Sequence, residues 1–335
     1  MPTRRNLLKM TGAATSALAL STLLSLPAVA QNRSVAVQLA WLPGADFAGE
    51  IVALETGAFA ARGLDVTLLP GGPGTNSVQE LLSGTSDISI TYAPPIMYSA
   101  NRGLPLASFA AAVQRAPLTF FSLGEANITS VADWEGKRIG AGQGAIPQIK
   151  AVLSENGLTF DDITFVQAQV PGLMQDQVDV VGAWPTNVAQ LEPVTSHPGG
   201  YNTQSIWDNG LQFQSNYYIA RQETLDDDRE MLVAFMEAAD EGWAFAADNP
   251  AEAVALMQRY APALGTEATL QSLQTLIADF VYTDETASHG FGYISSERWQ
   301  RTLDTYAGIG EISEDLTSAN VFDSRVLEEA TRTHR

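Results

Sequence analysis

SVAVQLAWLPGADFAGEIVALETGAFAARGLDV, residues 34–66, reads as a buried strand, an aromatic turn, a helix that starts at that turn, and a second strand announced by Gly63-Leu64-Asp65-Val66. In a parallel α/β sheet, the loop after a strand and the first turn of the next helix line the crevice where ligands sit. That rule turns Trp41, Asp46, Phe47 and Glu50 toward a ligand and sends Val35, Val37 and Leu39 into the core.

Outward from this stretch the alternation continues. Strands are predicted over Val35 to Leu39, Asp65 to Leu69, Ile88 to Thr91 and Leu106 to Ala112. Between them, apolar residues at helical spacing predict helices over Phe47 to Arg62, Asn76 to Gly84 and Pro95 to Arg102. Such alternation predicts a mostly parallel sheet with helices on both faces. A second α/β unit starts after Gln114-Arg115-Ala116-Pro117, with strands near Ile139, over Ile163 to Val166 and over Asp179 to Gly182, and helices from Pro147 and Pro185. Residues 196–210 turn to Gly, Asn, Ser and His and read as a loop. Strand character returns over Gln212 to Ala220, and the remainder is mainly helical. The chain therefore crosses between two units twice, near Val113 to Leu118 and near Gln212 to Tyr218, which makes a hinge. The expected division is an export signal over 1–30, a first lobe over 31–114, a second over 115–216, and a return to the first over 217–335.

Composition excludes much. The 335 residues carry no Cys and only three His, at 197, 289 and 334, which removes disulfides, Cys-ligated metal and thiol nucleophiles and leaves no His-rich metal site. A formal charge of -20 argues against nucleic acid, whose binding demands clustered Lys and Arg. Thr3-Arg4-Arg5-Asn6-Leu7-Leu8-Lys9, an apolar run and Ala28-Val29-Ala30 form a twin-arginine export signal cleaved near Ala30, so a periplasmic location is expected. Removal of that segment takes away three cations and leaves the mature chain at -23.

Gly140-x-Gly142-x-x-Ala145 follows a short strand and superficially satisfies a dinucleotide fingerprint, although Pro147 crowds the helix start. Its small residues also let an anion or a heterocycle oxygen approach the amides at Gly142 and Gln143. Trp41, Phe47, Tyr92, Phe120, Trp184, Tyr217 and Tyr218 fall at strand ends or crossings. Each has core packing as its ordinary role, while together they suit stacking on a flat ligand. Arg115 either clamps an anion or pairs with Asp46 or Glu50. No nucleophile elbow is present, and Asp46 and Glu50, one helical turn apart, read as acceptors for ligand donors rather than as an acid and base pair.

The series Leu39-Ala40-Trp41, Gly49, Gly57-Ala58-Phe59, Gly63-Leu64-Asp65-Val66 and Ser83-Gly84-Thr85-Ser86-Asp87 resembles the periplasmic solute-binding proteins of the NMT1/THI5-like group. Asp133 to Gly140, Gln177-Val178-Asp179 with Trp184, and Phe291-Gly292-Tyr293 before Glu297-Arg298-Trp299 extend the resemblance over nearly all of the mature chain. It implies a two-lobed periplasmic binding protein of the type II-like fold, working as a monomer with an ABC permease and without cofactor. It further implies capture of a thiamine pyrimidine precursor, a riboflavin-like ring or, alternatively, a sulfonate or taurine. Relatives carry an aromatic residue where this chain has Glu50, and the segment from Val166 to Gln177 is short for the group. Related fungal enzymes use a reactive lysine, a His and a Cys-rich iron motif; the mature chain has only Lys137 and Lys150 and no Cys, so that reaction is not expected. The rival from another class is an exported dinucleotide-dependent oxidoreductase. The expected ligand residues are Trp41, Asp46, Phe47, Glu50 and Tyr92 from the first lobe, and Arg115, Gly142, Gln143, Trp184, Asn187 and Tyr217 from the second lobe or hinge.

Overall fold

The computed structural model describes residues 32–330; the expected export signal and cleavage site lie outside them. Two five-stranded sheets form two lobes. The first is ordered β2-β1-β3-β10-β4, from β1 (Arg33–Gln38), β2 (Leu64–Leu69), β3 (Ile88–Thr91), β4 (Leu106–Val113) and β10 (Ser215–Arg221). The second is ordered β7-β6-β8-β5-β9, from β5 (Thr119–Leu123), β6 (Arg138–Ala141), β7 (Thr164–Gln167), β8 (Val180–Ala183) and β9 (Tyr201–Ser205). In each sheet one strand runs against the rest: β10 against β3 and β4, and β5 against β8 and β9. Each reversed strand is the one arriving from the other lobe, so the two crossings enter their sheets at equivalent places.

Helices cover both faces, which is why β4 is buried along its whole length and is apolar but for Ser108, whose hydroxyl donates to the Val321 carbonyl at 2.6 Å. The helices used below are α1 (Ala48–Thr56), α2 (Ala93–Asn101), α3 (Ile146–Glu155), α4 (Val188–Thr195), α5 (Arg229–Asp248), α6 (Thr266–Leu276) and α7 (Ser296–Gly308). Gly57, at φ 83°, ends α1 in the left-handed conformation that glycine adopts without steric cost, so the single helix expected over Phe47 to Arg62 is two pieces. The region expected as a loop over 196–210 contains β9. This edge strand pairs only with β5 and is largely solvated, so its sequence carries the polar residues of an edge and no apolar alternation.

The lobes share a core. One cluster joins Ile96, Met97 and Tyr217 of the first lobe to Phe120, Trp134 and Ile149 of the second, with Trp299, Leu303 and Tyr306 of α7 completing it. Glu311, just beyond α7, takes the Tyr98 hydroxyl at 2.8 Å from the first lobe and the Lys150 ammonium at 2.5 Å from the second. A packed apolar spine with a charged clasp beside it thus joins the two lobes.

Candidate ligand crevice between the lobes

The segments that follow β1 and β3 meet the segment that follows β8, at the strand ends where open α/β sheets present ligand sites. After β1 the chain makes a 3-10 turn over Ala45–Phe47, closed by the Phe47 amide donating to the Gly44 carbonyl at 3.0 Å. After β3 comes Tyr92, the N-cap of α2. From the opposite lobe, the segment after β8 delivers Trp184, Thr186 and Asn187. Tyr92 and Trp184 meet edge to face across the crevice, with ring centroids 5.8 Å apart at 77°.

A cavity of about 370 Å³ opens here. Its walls are the Trp41–Asp46 segment, the Thr186–Gln190 start of α4, and Leu264, Ala268, Thr269 and Ser272 at α6. Among the described residues, no Lys, Arg or His lines it. Its one ionisable group is Asp46, whose Oδ1 is buried without a hydrogen-bond partner, as is Thr186 Oγ1. Burial pushes the Asp46 carboxyl up to about 6, against a smaller opposing pull from the Thr186 hydroxyl. Burial, and secondarily the Asp46 charge, drive the Tyr92 phenol far above its usual range, so it stays an O–H donor. The arrangement offers aromatic rings at the crevice and, in the cavity wall, the Asp46 carboxylate with the neighbouring Thr186 hydroxyl, whose buried Oδ1 and Oγ1 make no hydrogen bond of good geometry. It suits a flat molecule with N–H donors.

Of the residues expected at the site, Trp41, Asp46 and Asn187 line this cavity and Tyr92 and Trp184 meet at the crevice. Trp41 is 46% exposed, at the rim. Four expectations need correction. Phe47 is 1% exposed because the 3-10 turn rotates it inward, into the first-lobe core. Tyr217 packs in the shared core, tilted on Trp299 at 4.9 Å, with its hydroxyl accepting from the Gln214 amide at 3.1 Å. Arg115 is exposed and stacks over Trp207, 5.6 Å from the ring centroid, with Arg298 over the same ring at 5.0 Å; no ion pair joins it to Asp46 or Glu50. Gly142 and Gln143 lie in an exposed turn outside the cavity lining, where Gln143 bonds Gln167 at 3.2 Å. A Cβ on Gly142 or Gly144 would meet no protein atom within 4 Å, so neither glycine is required by packing within the chain.

Glu50 adds a fifth correction. It is 1% exposed and lies inside the first lobe, where the Tyr218 hydroxyl donates to its Oε1 and the Trp243 indole stands close. Burial pushes its carboxyl up to about 7. The folded state therefore keeps a proton between about pH 4.5 and 7 that the unfolded chain has released. Stability from this group falls as pH rises through that window and levels off above it. Glu50→Gln keeps the acceptor for Tyr218 and removes the desolvated charge. It should raise stability at pH 8 by on the order of 2 kcal/mol and leave it little changed at pH 4.5, as read by urea unfolding at the two pH values.

Sequence reasoning missed Thr186 and Asn216. Thr186 carried a detectable signal, standing between Trp184 and Asn187 in Trp184-Pro185-Thr186-Asn187 at a strand end.

The sequence model of the family described as NMT1/THI5 like matches residues 44–253. Over 304 residues the chain is 25% identical to the formylaminopyrimidine-binding protein of Halalkalibacterium halodurans, covering 87% of this chain and 90% of that protein. Over 308 residues it is 23% identical to the riboflavin-binding protein RibY of Chloroflexus aurantiacus, covering 88% and 86%. The periplasmic aliphatic sulphonate binding protein SsuA of Escherichia coli shares the fold at a TM-score of 0.68 and 15% identity, over 90% of this chain and 94% of that one. The two lobes, the crevice at their strand ends and a family match over more than half of its length place the chain in the NMT1/THI5-like family of solute-binding proteins.

Proposed function

We propose that the chain is the periplasmic substrate-binding component of an ABC importer, and that it captures a small planar nitrogen heterocycle between its lobes. The observation that carries the ligand class is the cavity's charge: among the described residues its lining holds one carboxylate, Asp46, with a buried Oδ1 that lacks a hydrogen bond of good geometry, and no cation. A sulfonate in that cavity would face Asp46 with no compensating charge, whereas ring N–H groups would satisfy it. The named ligands of the two sequence relatives, a formylaminopyrimidine and riboflavin, are both planar nitrogen heterocycles. Ligand that touches both lobes favours the closed form, and the closed form is the one a permease reads.

Thermal-shift measurements on the mature chain test this directly. Formylaminopyrimidine or riboflavin at about a hundred times its Kd should add about 2.7 kcal/mol, a rise of several degrees in Tm. Ethanesulfonate and taurine should leave Tm unchanged. A rise with the sulfonates alone would overturn the heterocycle reading.

A further inference from the structure

We infer that Asn216 is a positioning residue of the proposed site: from the returning hinge strand it fixes the turn that carries Asp46. The inference rests on the reading of the crevice as the ligand site.

Asn216 lies near the start of β10 and is 1% exposed. Its φ of 48° puts it in the left-handed region, where Asn is better tolerated than most side chains but still adopts a conformation costing free energy. Such a conformation persists where the surroundings over-determine it. Here the Asn216 Nδ2 donates to the Asp46 main-chain carbonyl at 2.8 Å, joining residues 170 apart in sequence. The register Tyr217 to Thr91 sets Asn216, one step further along, level with Tyr92. One buried amide thus stands at the hinge crossing, beside the row of the aromatic partner, and holds the short turn whose carboxylate points into the cavity.

The turn is a three-residue 3-10 element that Phe47 anchors in the core and the Phe47–Gly44 bond closes, while the Asn216 amide holds the carbonyl of Asp46 itself. A carboxylate held in place before the ligand arrives avoids the ordering cost that a mobile one would add on binding. Loss of the amide would leave Asp46 in the crevice but free to swing.

Two variants separate positioning from folding. Asn216→Gly keeps the left-handed backbone and deletes the amide; Asn216→Asp keeps a side chain that tolerates this backbone and sets an acceptor against the Asp46 carbonyl. The first readout needs no ligand. Hydrogen exchange of the Phe47 amide should accelerate at least tenfold in both variants, while the Tyr218 amide in the β10 ladder keeps its protection. The second readout is calorimetric Kd for formylaminopyrimidine and for riboflavin. Whichever of them binds the parent protein should bind both variants about tenfold more weakly, with Asn216→Asp the weaker. Unchanged Phe47 exchange, or Kd within twofold of the parent, would overturn the inference. Loss of Tyr218 protection together with that of Phe47 would also overturn it, since Asn216 would then hold the fold rather than the turn. If neither compound binds the parent protein, the proposed ligand class fails, and the exchange measurement alone still decides whether Asn216 fixes the turn.

Discussion

Asp46→Asn should weaken heterocycle binding ten- to a hundredfold, the size expected for losing a hydrogen bond to a charged acceptor, about 1.5–3 kcal/mol. The substitution preserves volume, so packing of the 3-10 turn and the Asn216 bond to its carbonyl should survive. It removes the only charge in the cavity wall and presents an amide that competes with ligand donors. The parent protein should also lose affinity as pH falls through about 6, because protonation of Asp46 removes the acceptor; the variant should show no such dependence. Isothermal titration at pH 7.5 and 5 checks both statements. Equal affinities for parent and variant would take Asp46 out of the ligand's contacts.

Gly242→Ala should cost about 3 kcal/mol of stability, near the upper end for overpacking. Helices α1 and α5 cross here so closely that a Cβ on Gly242 would stand 2.0 Å from the Gly49 carbonyl oxygen and 2.9 Å from Ala53 Cβ. A Cβ on Gly49 would in turn stand 2.0 Å from the Trp243 ring. The first clash is with backbone inside a helix, which cannot rotate away as a flexible side chain would. Since α1 begins at the Asp46 turn, the displaced helix should also loosen ligand binding. Urea unfolding measures the first effect; a loss below 1 kcal/mol would mean that the helices separate more easily than their packing indicates.

The chain's own patterning made most of the first lobe legible. Val35, Val37 and Leu39 form an apolar alternation that ends at Gly and aromatic residues, and β2, β3 and β4 follow with the same local logic. Local patterning could not show that β10 inserts between β3 and β4, because that pairing joins residues more than a hundred positions apart. It also could not rank the aromatics. Phe47 and Trp41 stand in the same loop after β1, and the 3-10 turn over Ala45–Phe47 sends Phe47 inward while Trp41, ahead of that turn, stays at the rim. Glu50 misled for a related reason. One turn from Asp46 on a helix suggests a shared face, but Asp46 belongs to the turn that precedes α1, so Glu50 points to Tyr218 instead. Arg115 misled because the crossing that carries it delivers it to Trp207, which follows β9 some ninety residues later and could not be placed beside it in advance. Asn216 left no trace, since its role depends on a backbone angle and a carbonyl 170 residues away.

Proton linkage on binding tests the central claim most directly. At pH 6 the unliganded Asp46 is close to half protonated. Ring N–H donors favour its carboxylate, so binding of riboflavin or formylaminopyrimidine, measured calorimetrically in two buffers of different ionisation enthalpy and corrected for the ligand's own titration, should release protons. Asp46→Asn should abolish the release. Proton uptake on binding, the sign that an anionic ligand beside Asp46 would produce, would contradict a site built for a donor-bearing heterocycle.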